Sequence, residues 1–430
     1  MLSQPGRFLD RTDLLTVAAV ALVLLVTTGD LGLWADDYGW LDDARFDLPD
    51  VSHPLYEHLR KTPYGVFAPV SRAYFWLGYA LFGTHELAWR LTHLGLVTTA
   101  VGSVLAALRA YETRAWVARL AAATVPVAAG TVTTTTWVST GPYLLALSAC
   151  AWLAVALRRQ SPWAAVAVAV AALSREASLV LMLPLLVAHR SRWAWGAWSI
   201  GVGVHLLASS PRTATFVDRI GNVRGAWHER LSLSGVAPLP PHVPGDDALV
   251  ELAYVAGTPP NGLLLAGGWT LYLLAVDLRR PHKRRYAWLA WLAPLVAFTA
   301  VEPHPRFLWT AAVVAVCSTA LTVGDRTRPW DKLDQRFGGA LALLTVLTWT
   351  SRAHVDLQAC AVPAAEASDQ LLAALSTLED GATEAGPVPT KVCAHPTMWN
   401  AHAAHHDLTV DTVRRGDDTW LVPRPSAEAP

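Results

Sequence analysis

Apolar and polar positions fall in long blocks along this chain, without the short rhythm of a soluble protein. Nearly uninterrupted apolar runs occupy residues 14–28, 87–108, 118–132, 143–157, 163–173, 177–188, 193–208, 262–276, 286–300, 307–323 and 338–350. A helix that crosses a bilayer needs about 20 such residues. The pattern predicts an all-α polytopic membrane protein with about eleven transmembrane helices. Two runs, 163–173 and 177–188, are short for that purpose and flank Ser174-Arg175-Glu176. The first run follows Arg7 and Arg11 and has no small-residue cleavage site before the acidic stretch beyond it. It therefore reads as a retained span and not a cleaved signal peptide.

Three long polar segments interrupt or follow these runs: 29–86, 209–250 and the tail 352–430. In the tail, residues 364–378 predict a helix with Leu371, Leu372, Leu375 and Leu378 on one face. Short β-favouring runs follow at 390–392, 408–413 and 419–422. The expected organisation is a membrane module over 1–351, with outer loops at 29–86 and 209–250, then a small extracytoplasmic α/β domain over 352–430.

Composition sharpens this picture. The 430 residues are 53% hydrophobic and 16% charged, where a soluble domain is nearer 25% charged. Disorder and an ordinary soluble enzyme are excluded. Formal net charge is zero, so no global basic field points to nucleic acid. With the N-terminus in the cytoplasm and spans alternating, the inner segments collect 18 of the 34 basic residues, the bias of the positive-inside rule. The same rule makes 163–188 a hairpin with Arg175-Glu176 at its outer tip. A single span there would place Arg158 and Arg159 opposite Arg190 and Arg192.

Four cysteines are too few for a disulfide scaffold. Cys360 and Cys393 both fall in the tail, on the oxidising side, and a disulfide between them would contribute about 3–4 kcal/mol by loop entropy. Two unpaired thiols are the alternative. Cys150 and Cys317 lie in spans and read as small apolar side chains. His395, His402, His405 and His406 also lie in the tail. His402 and His406 have a ligand-compatible i, i+4 spacing, but no carboxylate or thiolate is fixed beside them. A solvated surface, not a metal site, is expected.

Candidate chemistry follows the first run directly. Asp30, Asp36, Asp37, Asp42 and Asp43 are interleaved with Trp34, Tyr38 and Trp40. Carboxylates so close to hydrocarbon must face water or a polar cavity. Adjacent carboxylates disfavour joint ionisation, and one of them can be poised to take a proton from a hydroxyl. Solvated acids beside an interfacial aromatic belt are the plainer reading. Residues 67–83 then predict an amphipathic, aromatic helix along the outer surface.

The order of motifs resembles the N-terminal module of GT-C superfamily glycosyltransferases, which include protein O-mannosyltransferases and the bacterial aminoarabinose transferase. The resemblance rests on Asp36-Asp37-Tyr38, Pro69-Val-Ser71-Arg72, Leu81-Phe82-Gly83, and Arg90 with His93. Further along it rests on Trp137-Val-Ser139-Thr-Gly-Pro142-Tyr143, Ser174-Arg175-Glu176 (Arg where the family has Lys) and Glu302-Pro-His304-Pro-Arg306-Phe307. It covers roughly residues 10–325 and excludes the tail and the 209–250 loop.

The resemblance implies an integral protein of a bacterial inner membrane. Such a protein moves a sugar from a polyprenyl-phosphate donor to a hydroxyl of a glycan, lipid or protein acceptor on the outer face. It implies Asp36 as the base and Asp37 as a second or orienting carboxylate. Arg72, Arg175 and Arg306 become candidates for the donor phosphate, with Glu176, Glu302 and His304 in support. The plainer roles of those arginines are snorkelling and ion pairing with Glu176 or Glu302. The absence of a Trp-Trp-Asp sequence argues against en bloc transfer to asparagine. No acidic metal motif stands out, so no cofactor or metal is expected. Two other readings stay open. One is an O-antigen ligase or polymerase-like transferase working through Arg219 and His228 of the 209–250 loop. The other is a lipid or solute transporter, which would place ionisable groups at mid-membrane.

Overall fold

The computed structural model describes residues 9–29, 31–33, 37, 39–41, 44, 67–130, 133–175, 177–208, 259–278, 305–324, 332–389, 391–392, 395–396, 408, 410–416 and 418–423. The chain over these residues is mostly helical, with two small two-stranded sheets near the C-terminus.

Helix α1 (Arg11–Thr28) begins with a reciprocal cap. The Asp10 carboxylate accepts from the Asp13 N–H at 2.8 Å, and Asp13 accepts from the Asp10 N–H at 3.0 Å. Asp13 is fully buried, and its charge is met from two directions. Arg109 near the end of α3 (Glu86–Ala110) lies at 3.1 Å and Arg119 of α4 (Ala115–Ala123) at 2.7 Å. Asp10 pairs with the same two arginines at 3.2 and 2.9 Å. At the opposite end of α1, Arg90 donates from Nε and Nη2 to the Thr28 carbonyl, at 2.8 and 2.7 Å, and from Nη1 to the Thr136 carbonyl. Charged donors there complement the negative end of the helix dipole. Thus α1 and α3 are pinned at both ends by arginine, with largely apolar helix between.

Three helical segments among the described residues are long and apolar enough to cross a membrane: Arg11–Thr28, Glu86–Ala110 and Val138–Arg158. The last is a 3₁₀ turn, Val138–Thr140, running into α5 (Gly141–Arg158). It is the central span, with 89% of its apolar window buried against 17% for α1. Leu14, Leu15, Leu22, Val23 and Val26 of α1 face outward.

The expectation of eleven spans is not supported. The 118–132 run breaks at Thr124, where Pro126 lacks the N–H that α-geometry needs, and continues as a 3₁₀ turn, Val125–Gly130. Helices α6 (Trp163–Ser174) and α7 (Ala177–His189) have 12 and 13 residues. That is about 18 and 20 Å, short of a hydrocarbon core of about 30 Å. The 286–300 run lies outside the described residues. The remaining apolar runs form α8 (Arg192–Ala208), α9 (Pro259–Leu278), α10 (Pro305–Val323) and α11 (Lys332–Asp356).

The hairpin over 163–188 does form. Arg158 reaches Glu112 at 3.6 Å, and His189 is hydrogen-bonded to the Tyr111 hydroxyl at 2.5 Å. The end of α5, just before α6, and the end of α7 therefore meet the same turn after α3, and the tip at Arg175 lies at the other end of the bundle. Helix α10 ends with the Gly324 carbonyl accepting from the Arg114 N–H at 2.7 Å. Its first turn therefore lies at the Arg175 end.

The amphipathic helix expected over 67–83 is α2 (Pro69–Phe82). One face buries Ser71, Arg72, Phe75 and Gly78, while Trp76, Leu77 and Leu81 are exposed on the other. A Cβ on Gly78 would stand 2.2–3.0 Å from the Trp89 ring. The tail is continuous with α11, which passes through a π-turn, Leu357–Ala361, into α12 (Val362–Glu379). The boundary expected between 351 and 352 thus falls inside a helix. Leu371, Leu375 and Leu378 build the tail core with Val388, Val410 and Leu421. Leu372 turns away and packs against the cluster that contains Trp40, Phe75 and Trp89. Strands β1 (Lys391–Val392) and β2 (His395–Pro396) pair antiparallel, as do β3 (Val410–Arg415) and β4 (Asp418–Pro423). Cys393 and the side chain of Cys360 lie outside the described residues.

The packing of α2 on Trp89 is directly testable. Gly78→Ala should cost about 1–3 kcal/mol by overpacking and lower the melting temperature of the detergent-purified protein. Gly95→Ala in α3, where a Cβ meets nothing within 4 Å, should be neutral or stabilising. Equal melting of the two variants would contradict the packing.

Candidate functional site

Everything that converges at the Arg175 end does so because the turn between α4 and α5 is held rigid. The Thr140 hydroxyl donates to the Trp137 carbonyl at 2.5 Å and the Thr134 carbonyl at 2.8 Å. His93 donates from Nε2 to the Thr134 carbonyl at 3.2 Å. Arg90 takes the Thr136 carbonyl. The Ser139 N–H, just before α5, is thereby aimed outward from a helix N-terminus, where negative charge is favoured. The Asp37 carboxylate accepts it at 2.5 Å and is wholly buried. One hydrogen bond thus joins the acidic loop after α1 to the start of the central span.

Arg175 enters the same place from the α6–α7 tip. Its backbone is extended and ends α6. The guanidinium lies 4.4 Å from the centroid of the Tyr143 ring and 6.0 Å from that of Trp40. It is almost fully buried, and its Nε has no hydrogen-bond partner among the described residues. Stacking on aromatic faces supports a guanidinium without consuming its in-plane donors. The Ser71 hydroxyl donates to the Ser174 carbonyl at 2.7 Å, so Arg72 and Arg175 adjoin a directly bonded pair. Arg72 too is buried. Trp40 stacks on Phe75 at 4.8 Å and 16°, closing the apolar side.

Several buried polar atoms here have no hydrogen-bond partner among the described residues: Tyr74 Oη, Ser139 Oγ, Thr134 Oγ1 and His93 Nδ1, besides Arg175 Nε. Buried polar groups are normally satisfied, and these five stand out among the described residues. The Tyr74 ring lies against Gly141, where a Cβ would come within 3.0 Å of its hydroxyl. Burial, then the negative charge of Asp37, pushes the Tyr74 phenol above the ordinary tyrosine range.

Of the residues expected from sequence, Asp37, Arg72 and Arg175 have described side chains: Asp37 is bonded to Ser139, Arg175 lies over Tyr143, and Arg72 follows Ser71, which is bonded to Ser174. Asp36, Glu176, Glu302 and His304 lie outside the described residues. Arg306 falls in the first turn of α10 at the same end, but its side chain lies outside them. Sequence reasoning passed over Trp40 and Tyr143 as the aromatic support of Arg175, and over the Tyr74 hydroxyl. It also passed over Arg352, a buried arginine of α11 packed on Gly130. The aromatics of the acidic loop looked like an interfacial belt. Only their partner across the fold distinguishes them. Among the described residues no three His, Cys, Asp or Glu side chains converge as metal ligands, and Cys150 and Cys317 are free thiols. The 209–250 loop lies outside the described residues.

No protein family, curated protein or solved structure matches the chain.

The environment of Tyr74 gives a pH test. Its folded ionisation lies above the ordinary value near 10, so the unfolded chain loses that proton first. The resulting stability is complete below pH 10 and is lost as pH rises toward the folded value. In absorbance titration at about 295 nm, the difference between the protein and its Tyr74→Phe variant should show no step near the ordinary tyrosine value. Asp37→Asn should move that step down, because it removes the neighbouring negative charge.

Proposed function

We propose that the chain is a membrane glycosyltransferase resembling the GT-C group, which moves a sugar from a polyprenyl-phosphate donor to an acceptor hydroxyl. The observation that carries this reading is the junction of acidic loop and guanidinium. Asp37 is bonded to Ser139, and Arg175 is stacked between Tyr143 and Trp40, all at one end of an apolar bundle. A lipid-linked donor calls for a polar pocket at the membrane surface. Trp76, Leu77 and Leu81 of α2 are exposed on the face away from Arg72, an apolar surface suited to lipid.

In this reading the acceptor oxygen attacks the anomeric carbon, and the bond from that carbon to the phosphate oxygen breaks. Its electron pair stays on the phosphate, and a carboxylate takes the acceptor proton. Arg175 and Arg72 meet the leaving phosphate, joined by Arg306 from the first turn of α10. Preorganised cations are most effective where water is excluded. Asp37, committed to the Ser139 N–H, positions the loop, and Asp36 is the base. Glu176, Glu302 and His304 support the arginines, and no metal takes part. The arginine-rich end, with Arg109, Arg119 and Arg158, faces the cytoplasm by the positive-inside rule. The site then faces outward from a bacterial plasma membrane, toward a glycan, lipid or protein acceptor. Transport is disfavoured because Asp13, Arg109 and Arg119 lie at one end of the bundle and Arg90 and Arg175 at the other, with no such group midway along α1, α3 or α5.

The test is transfer from polyprenyl-phosphate sugars in proteoliposomes, with mass spectrometry of cell-surface glycans alongside. Asp36→Asn should cut turnover by about 10²–10⁴-fold, whereas Arg175→Gln should mainly raise the donor KM. Full transfer by Asp36→Asn in a well-expressed protein would refute the assignment.

A further inference from the structure

A narrow groove enclosing about 80 Å3 runs between α4, α9, α10 and α11. Small residues leave it open: Ala121, Ala320, Gly339 and Ala342, between the walls of Trp269 and Trp349. On α11 the lining positions 339, 342, 346 and 349 step by three or four, one stripe of the helix, about 15 Å long. A Cβ on Gly339 would meet nothing within 4 Å, so among the described residues the space there is open. The wall is hydrocarbon save for hydroxyls, of which Thr319 Oγ1 is buried and has no hydrogen-bond partner among the described residues.

The mouth lies at the arginine-rich end. Val323 closes α10 there, and Thr319 sits one helical turn deeper. The α11 stripe continues three residues back to Arg336, which is exposed. Trp116 and Phe337 flank it, about half exposed, as aromatics do at a membrane interface. An apolar slot with a cation at its rim, set between helices near the cytoplasmic surface, is complementary to an anionic lipid. The Asp37–Arg175 pocket is at the opposite end of the bundle, so a donor phosphate held there is far from Arg336.

We propose that this groove holds an acyl chain of an anionic glycerophospholipid from the leaflet at the arginine-rich end. Arg336 meets its phosphate, and the Thr319 hydroxyl donates to its ester carbonyl one turn deeper. This binding is independent of the transferase reading.

Native mass spectrometry of the full chain in detergent, titrated with phosphatidylglycerol or phosphatidylcholine of the same chains, tests it. One phosphatidylglycerol per chain should be retained in preference to phosphatidylcholine. Gly339→Leu fills the groove without meeting protein and should abolish retention. Gly95→Leu, placed on an equally open helix face, should not. Arg336→Gln, an exposed substitution that leaves the fold alone, should weaken retention about fivefold. Equal retention of the two lipids, or unchanged retention in either Gly339→Leu or Arg336→Gln, overturns the proposal. So does a dimer that Gly339→Leu dissociates, which would put a second copy in the groove. Displacement of phosphatidylglycerol by polyprenyl phosphate overturns it as well, by placing a carrier lipid there.

Discussion

The Arg90 guanidinium holds two unrelated stretches of backbone at once. It takes the last carbonyl of α1 and the carbonyl that ends the Thr133–Thr136 turn. Both groups would otherwise face apolar surroundings, where an unsatisfied carbonyl is costly. Because the clamp fixes where α1 stops, it fixes where the acidic loop starts. Because it fixes where the turn stops, it fixes the direction of the Ser139 N–H. The bond from Asp37 to Ser139 is available only when both are set. The matching clamp of Asp10 and Asp13 with Arg109 and Arg119 sets the opposite end, so α1 has little freedom to slide.

The support of Arg175 shows how a buried cation can stay chemically available. A carboxylate partner would satisfy its charge but occupy its donors. Two aromatic faces stabilise the charge through their quadrupoles and leave the donor plane open. The contrast with Arg109 and Arg119 lies within the same molecule. Those two spend their donors on Asp10 and Asp13, and they hold the structure together.

Much of the fold was legible because hydrocarbon thickness and arginine placement act on sequence directly. The apolar runs mark helices, and the argument from Arg158 and Arg190 places the turn at Arg175, where the structure has it. The number of crossings was not legible. Apolar composition does not distinguish a helix that spans from one of 12 or 13 residues that is too short to do so, and α6 is such a helix. In the candidate site, motif order singles out Asp37 and Arg175, but not their surroundings. Tyr143 reaches Arg175 across 32 positions of chain, and Ser139 reaches Asp37 across 102. Neither separation leaves a local signature. Leu372 is similar: it shares a helix face with Leu371 and Leu375 by spacing, yet it belongs to the cluster around Trp40.

The π-turn at Leu357–Ala361 sets a phase between α11 and the tail. An α-helix advances about 100° per residue, and a π-turn inserts one residue into that count. Everything beyond it is rotated by that step relative to α11. The azimuth at which Leu372 reaches the aromatic cluster, while Leu371 and Leu375 reach the tail core, is therefore counted off by this one extra residue. The tail is clocked to the bundle like a key cut to its lock.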